Sequence, residues 1–544
     1  MTDQAPGSGR LRRLEWAAAG LIVLLTLWAH GLRLLHAGAL WRDEAGAVGL
    51  ATLPSLRAVF ARFPHESFAL AVPMAIRLYT RAAGDGDPAL RRLGMAIGLA
   101  IGGALWLSAR LCGRHLPLLS LALTAGSASF VVFGDSLRGY GLGSLGIVLA
   151  FAALSRLLAQ PGAWSATAAL LAVLFAVHCL LANWPLVAAL CAAALVTALR
   201  HGRRRVALAV LAIGVAAALS VLPYALPLSA AAVWNVVAVD AGGLGKVVGR
   251  LGTAAGPAGA VWLLLVGLAL AGAAREESAP DSARLFCALV MLMGIAAQLL
   301  FLVVLSYTPR DWYYLPLLAL VAAALEPLVA DLAAAPWARL ARIGLAALGA
   351  AGLVAFNQPR LRERMTNVDL IARRLATVAA SDDLVLVCPW YLGISFNRYY
   401  RGPASWVTVP DIPDHRFHRY DLLKVKLAEA RPLAGVMDEA RQALAAGHRV
   451  WVVGQLRVPP GAQAPPMLPP APGARSGWQD TPYLQSWSLQ LGAFLRDHAA
   501  SLENVPVPAP DPVSRYEDLS LTVARGWHRE PPRAGAAPDL MGAR

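Results

Sequence analysis

Two carboxylates stand side by side in ALWRDEAGAV (39–48): Asp43 and Glu44, preceded by Trp41 and Arg42. They follow directly on the first long apolar run of the chain. Ionised groups close to a bilayer are costly and concentrate at functional positions. A carboxylate placed there can act as a general base toward a hydroxyl nucleophile, or as a ligand for a divalent cation. A solvated acidic pair at a helix end is the plain alternative. Two neighbours weigh against it. Trp41 is an interface anchor, and LPSLRAVFARF (53–63) is an amphipathic segment that reads as a helix lying in the interface, able to roof a cavity. Arg42 reads as a lipid-headgroup contact.

Cations gather in other loops. GDSLRGYGLG (134–143) carries Asp135, Arg138 and Tyr140 at the start of an apolar run. Arg138 is a candidate phosphate ligand, because guanidinium matches phosphate oxygens bidentately. A snorkelling Arg with an interfacial Tyr is the bland alternative. YTPRDWYYLPL (307–317) places Arg310 beside Trp312, Tyr313 and Tyr314. The aromatics alone are an ordinary interfacial belt, but Arg310 among them is a second phosphate candidate. Lys246 and Arg250 are weaker ones. His65, Glu66 and Asp135 are candidates for the acceptor side or cavity wall. His178, inside an apolar run, either joins that cavity or bonds a neighbouring helix. His415 and His418 in DHRFHRYD read as a solvated surface. No residue set is assigned to a metal.

The elements that must position these groups are legible from composition. The 544 residues are 57% hydrophobic and only 15% charged, where a soluble domain carries about 25% charge. Long Leu/Ala/Val/Gly blocks run to about residue 356 and then stop. A helix of about 20 apolar residues crosses a bilayer. Spans are predicted at 15–35, 91–111, 117–134, 139–158, 164–181, 184–199, 206–228, 257–274, 285–306, 313–331 and 341–356. FALAVPMAIRLY (68–79), short and interrupted by Pro73, reads as interfacial. The net charge of +15 follows from cytoplasmic loops collecting Arg; no basic-aromatic nucleic-acid motif occurs. Arg12 and Arg13 put the N-terminus in the cytoplasm. Arg110 and Arg114, Arg203 to Arg205, Arg275 and Arg284, and Arg339 and Arg342 then fall in inside loops. An odd count of about eleven spans puts the C-terminal part outside, in the periplasm of a bacterium. The five cysteines show no CxxC spacing, which argues against disulfides and zinc sites.

From 357 onward the pattern is globular. DLVLVCP (383–389), WVTV (406–409), RVWVVG (449–454) and LSLTVARG (519–526) read as strands, and 483–502 as an amphipathic helix. The expectation is a small α/β domain over 357–544, with a Pro-rich loop at 458–474 and a flexible tail after about 529.

The outside loops thus collect acids, arginines and aromatics, which suggests group transfer from a lipid phosphate. These residues also carry a resemblance. ALWRDEA (39–45), FPHESFALAV (63–72), AGDGDPALRRLGMAIG (83–98), GDSLRGYGLGSL (134–145) and RDWYYLPLLAL (310–320) resemble motifs of glycosyltransferase family 39. That group holds the protein O-mannosyltransferases and the lipid A aminoarabinose transferase. The resemblance is strongest over about 36–160. It implies a GT-C fold with about 11 transmembrane helices over 1–356, and a small C-terminal α/β periplasmic domain. It implies inverting sugar transfer from a polyprenyl-phosphate donor to a hydroxyl acceptor (protein, glycan or lipid) at a bacterial inner membrane. Carried over, Asp43 is the catalytic carboxylate and Glu44 its partner. Arg138 and Arg310 hold the lipid phosphate and Tyr140 lines that site. Two departures stand out: the family's Pro-Pro is replaced by Glu66-Ser67, and Asp135 lies three residues before Arg138 instead of two. No cofactor is implied beyond a candidate divalent cation.

Two other classes compete. A lipid-linked sugar flippase would place polar groups at mid-bilayer in repeated halves, and no such repeat is visible. A scaffold acting through its C-terminal domain is the third reading.

Overall fold

The computed structural model describes residues 8–66, 69–113, 115–236, 243–256, 259–274, 282–306, 309–332, 335–461 and 463–528. The expected flexible tail, Ser67 and the loop cations Arg114 and Arg275 lie outside them. The chain divides into two compact units.

The first unit comprises 1–37, 67–226 and 240–362. Among the described residues, eight helices are long and apolar enough to cross a membrane, or nine if one bent pair counts as a span. The eleven expected spans all fall on helices, but three do not qualify singly. Ala163–Cys179 is short, Gly243–Ala255 and Gly259–Ala271 meet at a 106° bend, and 117–134 breaks into Leu118–Ala125 and Ala128–Gly134. Ser127 supplies the break by capping the second piece through Phe130 N.

Two helices form the centre of this unit. Gly139–Ala159 and Asp311–Ala330 bury 72% and 83% of their apolar windows, against 28% for Gly9–His36. The small residues of the first explain its depth: a Cβ on Gly146 would lie 2.7 Å from Ala176 Cα. Small positions of this kind let membrane helices approach closely. Asn183 separates the two helices of the long 163–200 run. Its amide donates to Gly143 O at 3.0 Å and Ala176 O at 2.9 Å.

The second unit comprises 38–66, 227–239 and 363–544. The stretch bearing Asp43 and Glu66 therefore belongs with the C-terminal residues, although chain order suggested the membrane domain. The unit holds a five-stranded sheet: β1 Leu384–Cys388, β2 Ser405–Thr408, β3 Val450–Gly454, β4 Ala499–Asn504 and β5 Ser520–Trp527. Its order is β2-β1-β3-β5-β4. β1 pairs parallel with β2 and β3, while β5 pairs antiparallel with β3 and β4. β1 (LVLVC) and β3 (VWVVG) are buried at every position, as unbroken apolar runs require of central strands. The four expected strands are present. The reading of 483–502 as one helix is corrected: the helix Asp480–His498 ends, and AASLEN continues as β4. β4 is a half-exposed edge strand, so it lacks the apolar run that marks β1 and β3.

Candidate active site

Within the second unit, the Asp43 motif starts a helix, α2, Arg42–Ala51 (α1, Ser8–His36, belongs to the first unit). Trp41 is its N-cap, with its carbonyl accepting from Glu44 N at 3.0 Å and Ala45 N at 2.9 Å. The first turn leaves backbone N–H groups without helical partners. One of them, Arg42 N, donates to Glu517 at 2.9 Å. Asp43 and Glu44 fall in that first turn, where carboxylates oppose the positive helix end favourably. Tyr399 Oη accepts from Leu40 N at 2.6 Å, so the motif is held on both sides of Trp41.

Arg42 does not serve as the expected headgroup contact. Its side chain lies over the rings of Tyr391 (4.7 Å) and Trp41 (5.2 Å) and donates to Tyr516 O at 3.0 Å. Burial works against its charge, but Asp43, Glu517, Tyr391 and Tyr420 together outweigh burial and raise its pKa. Burial raises the pKa of Glu517, opposed by Arg42.

His418 links the two acids. Its Nδ1 lies 2.9 Å from Glu66 Oε1, which also accepts from His418 backbone N at 3.1 Å. Its Nε2 lies 3.6 Å from Asp43 Oδ1. The Glu66 carboxyl group is fully buried. With Nδ1–H directed at Glu66, Nε2 is the nitrogen that faces Asp43. Two glycines of α2 make room. A Cβ on Gly46 would sit 2.8 Å from Glu66 Cδ, and one on Gly49 would sit 2.9 Å from Arg416 O. Asp43 keeps 18% of its side-chain surface open, whereas Glu44 is completely buried. Of the pair, only Asp43 is therefore accessible to a substrate.

His65 is brought near this cluster by its neighbours but faces elsewhere. Its ring stacks on Trp234 at 4.7 Å and 8°, with Nδ1 3.9 Å from Asp421. Burial lowers its pKa, against the opposing pull of Asp421. Among the described residues, no group of three or more His, Cys, Asp or Glu side chains is arranged to hold a metal ion.

The first unit joins the other candidates. Tyr140 lies against Trp312 (6.1 Å) and Tyr313 (5.9 Å), and Phe133 meets Trp312 edge-on at 4.7 Å. The two segments read separately in sequence, 133–140 and 310–314, are thus one patch. Arg138 is the half-buried N-cap of Gly139–Ala159, and Arg310 is exposed at the start of the turn Asp311–Tyr314. Tyr314 Oη donates to Val247 O at 2.7 Å, which fastens the helix bearing exposed Lys246 to the same turn.

Asp135 and His178 make contacts between helices. Asp135 is buried and hydrogen-bonded to Nδ1 of His30 of α1 at 2.7 Å, within electrostatic reach of Arg33 and Arg91. His178 Nδ1 lies 3.0 Å from Tyr224 Oη, which accepts from Leu70 N at 3.2 Å. Both residues tie helices together. The reading of His418 as a solvated surface is corrected as well: it is buried. Its flanking Phe417 and Tyr420, aromatics inside a charged run, were the available signal.

No family model matches the chain, and no curated protein does. Solved structures do. ArnT from Cupriavidus metallidurans bound to undecaprenyl phosphate is 13% identical, with TM-score 0.52, over 93% of this chain and 98% of that one. The apo state of the same protein is 14% identical, with TM-score 0.51, over 80% of this chain and 93% of that one. The fold is GT-C. At this identity the likeness shows the fold alone.

Proposed function

We propose that the chain is an integral membrane glycosyltransferase that moves a sugar from a polyprenyl-phosphate donor to a hydroxyl acceptor, with inversion. The observation that carries this reading is the accessible Asp43 carboxylate, backed by His418 and buried Glu66, at the start of α2. In support, a protein of the same fold, ArnT, is solved with undecaprenyl phosphate bound.

In this mechanism Asp43 takes the proton of the acceptor hydroxyl. The oxygen attacks the anomeric carbon from the face opposite the phosphate. The bond from that carbon to the phosphate oxygen breaks, and its electron pair leaves with the polyprenyl phosphate. His418, held by Glu66, sets its Nε2 3.6 Å from the Asp43 carboxylate. Arg138, Arg310 and Lys246 neutralise the leaving phosphate, and Tyr140 walls that site. The N-terminus of the 21-residue helix that Arg138 caps adds a positive dipole end, a natural seat for phosphate. The reading includes a bacterial inner membrane location, with the N-terminus cytoplasmic and the C-terminal domain, 357–544, periplasmic.

The test uses full-length protein in proteoliposomes, with labelled undecaprenyl-phosphate pentoses and hexoses and bacterial envelope fractions as acceptors. Wild type is expected to release undecaprenyl phosphate from at least one donor. Asp43→Asn is expected to lower that rate by about 10²–10⁴-fold. Full transfer by Asp43→Asn would overturn its role, and no release from any donor would overturn the class.

A further inference from the structure

A polar cavity lies within the first unit, at the end of its helices away from Arg310. Its volume is about 700 Å³, and Arg12, Arg110, Arg339 and Arg342 converge on it from three helices, with Glu15 among them. Ala330 is on its wall, at the far end of the helix that begins beside Arg310. Twenty residues of helix separate the two ends, about 30 Å. The cavity is therefore distinct from the Arg138–Arg310 patch. It sits at the bundle end that the positive-inside rule assigns to the cytoplasm.

The charges here are not merely scattered loop cations. Two are built into the floor. Arg339 grips Glu15 with both Nε (3.0 Å) and Nη2 (2.5 Å). Arg342 reaches Glu326 at 3.1 Å and Glu15 at 3.8 Å, and donates to Leu116 O at 2.6 Å. Its Nε is buried with no hydrogen-bond partner. Glu15 and Glu326 thus balance Arg339 and Arg342. Arg12 and Arg110 are exposed at the cavity, and neither has an ion pair among the described residues. The site carries two positive charges in excess. Trp16 and Trp106, with ring centroids 5.9 Å apart, form an indole wall beside them, as expected at headgroup depth.

We propose that this cavity binds a phosphate anion, presented either by the headgroup of an anionic membrane lipid or by a soluble phosphate. Guanidinium groups recognise phosphate oxygens bidentately, and basic pockets between helices on this face are suited to anionic headgroups. The proposal does not depend on the glycosyl-transfer reading.

The test is native mass spectrometry of the full-length protein with phosphatidylglycerol, phosphatidylcholine and inorganic phosphate. Wild type is expected to retain phosphatidylglycerol over phosphatidylcholine. Arg12→Gln/Arg110→Gln is expected to weaken that retention by about 10-fold or more, at roughly a factor of five per lost cation. Arg12→Lys/Arg110→Lys keeps the charge and should retain part of it. Arg204→Gln/Arg205→Gln removes two exposed cations elsewhere and should leave it unchanged. Displacement of phosphatidylglycerol by inorganic phosphate assigns the site to the phosphate group alone. Retention against phosphate assigns it to a lipid headgroup. Equal retention of the two lipids without phosphate binding, or equal losses in the two Gln double variants, would overturn the proposal.

Discussion

His418 and Glu66 are joined by an Nδ1–Oε1 contact of 2.9 Å, and Glu66 also accepts the backbone N–H of His418 at 3.1 Å. One buried carboxylate therefore fixes both the backbone and the ring of the residue that faces Asp43. Glu66→Gln replaces an acceptor-only group with one that can turn a donor toward Nδ1. The expected result is a loss of transfer of about 10²-fold, the scale of a small misplacement of a reacting group. His418→Gln should behave likewise. Both variants should also change the pH dependence of kcat/KM, which a purely structural defect would leave in place.

Gly46 tests how tightly that carboxylate is held. Gly46→Ala should gain about 0.5–1 kcal/mol of helix propensity. The new Cβ would stand 2.8 Å from Glu66 Cδ, and overpacking of this kind costs about 1–3 kcal/mol. The expected outcome is a slight net fall in thermal stability with a larger loss of transfer. A stabilised, fully active Gly46→Ala would show that Glu66 can move without consequence.

Arg42 and Glu517 predict a non-additive pair. Arg42→Met leaves the fully buried Glu517 side chain without its cation, which typically costs about 3–5 kcal/mol. Arg42→Met/Glu517→Gln removes the uncompensated charge and should recover part of that loss in denaturant unfolding. Equal instability of the single and double variants would mean that the pair is not coupled.

His65 predicts a pH effect. Burial lowers its pKa, so the unfolded chain binds the proton more readily. The contribution to stability is fully present above the unfolded value of about 6.5 and is lost as pH falls below it. His65→Phe keeps the stack on Trp234 without a titrating nitrogen. Its thermal unfolding should fall less than that of wild type between about pH 7 and 5. Identical pH slopes would remove His65 from the explanation.

The aromatic-arginine patch predicts a binding effect. Arg138→Gln should raise KM for the lipid-phosphate donor more than it lowers kcat, provided that Arg138 holds the phosphate in the ground state as well. An unchanged KM would place Arg138 outside the donor site.

Much of the architecture followed from one-dimensional signals. Long apolar runs demand helices, because lipid offers no partner for backbone polar groups. Unbroken apolar runs such as LVLVC and VWVVG demand buried strands, and both signals are local. The acids of the first loop were visible for the same reason, as charges where charge is costly. What tertiary structure alone decided is pairing across long separations. His418 lies 352 residues from Glu66, in a charged stretch that looks solvated until Phe417 is seen to be inside. Arg42 faces inward because Glu517, 475 residues away, is there to receive it. Asp43 and Glu44 have the same chemistry in sequence. They part only when the helix turns one toward open space and the other into the core.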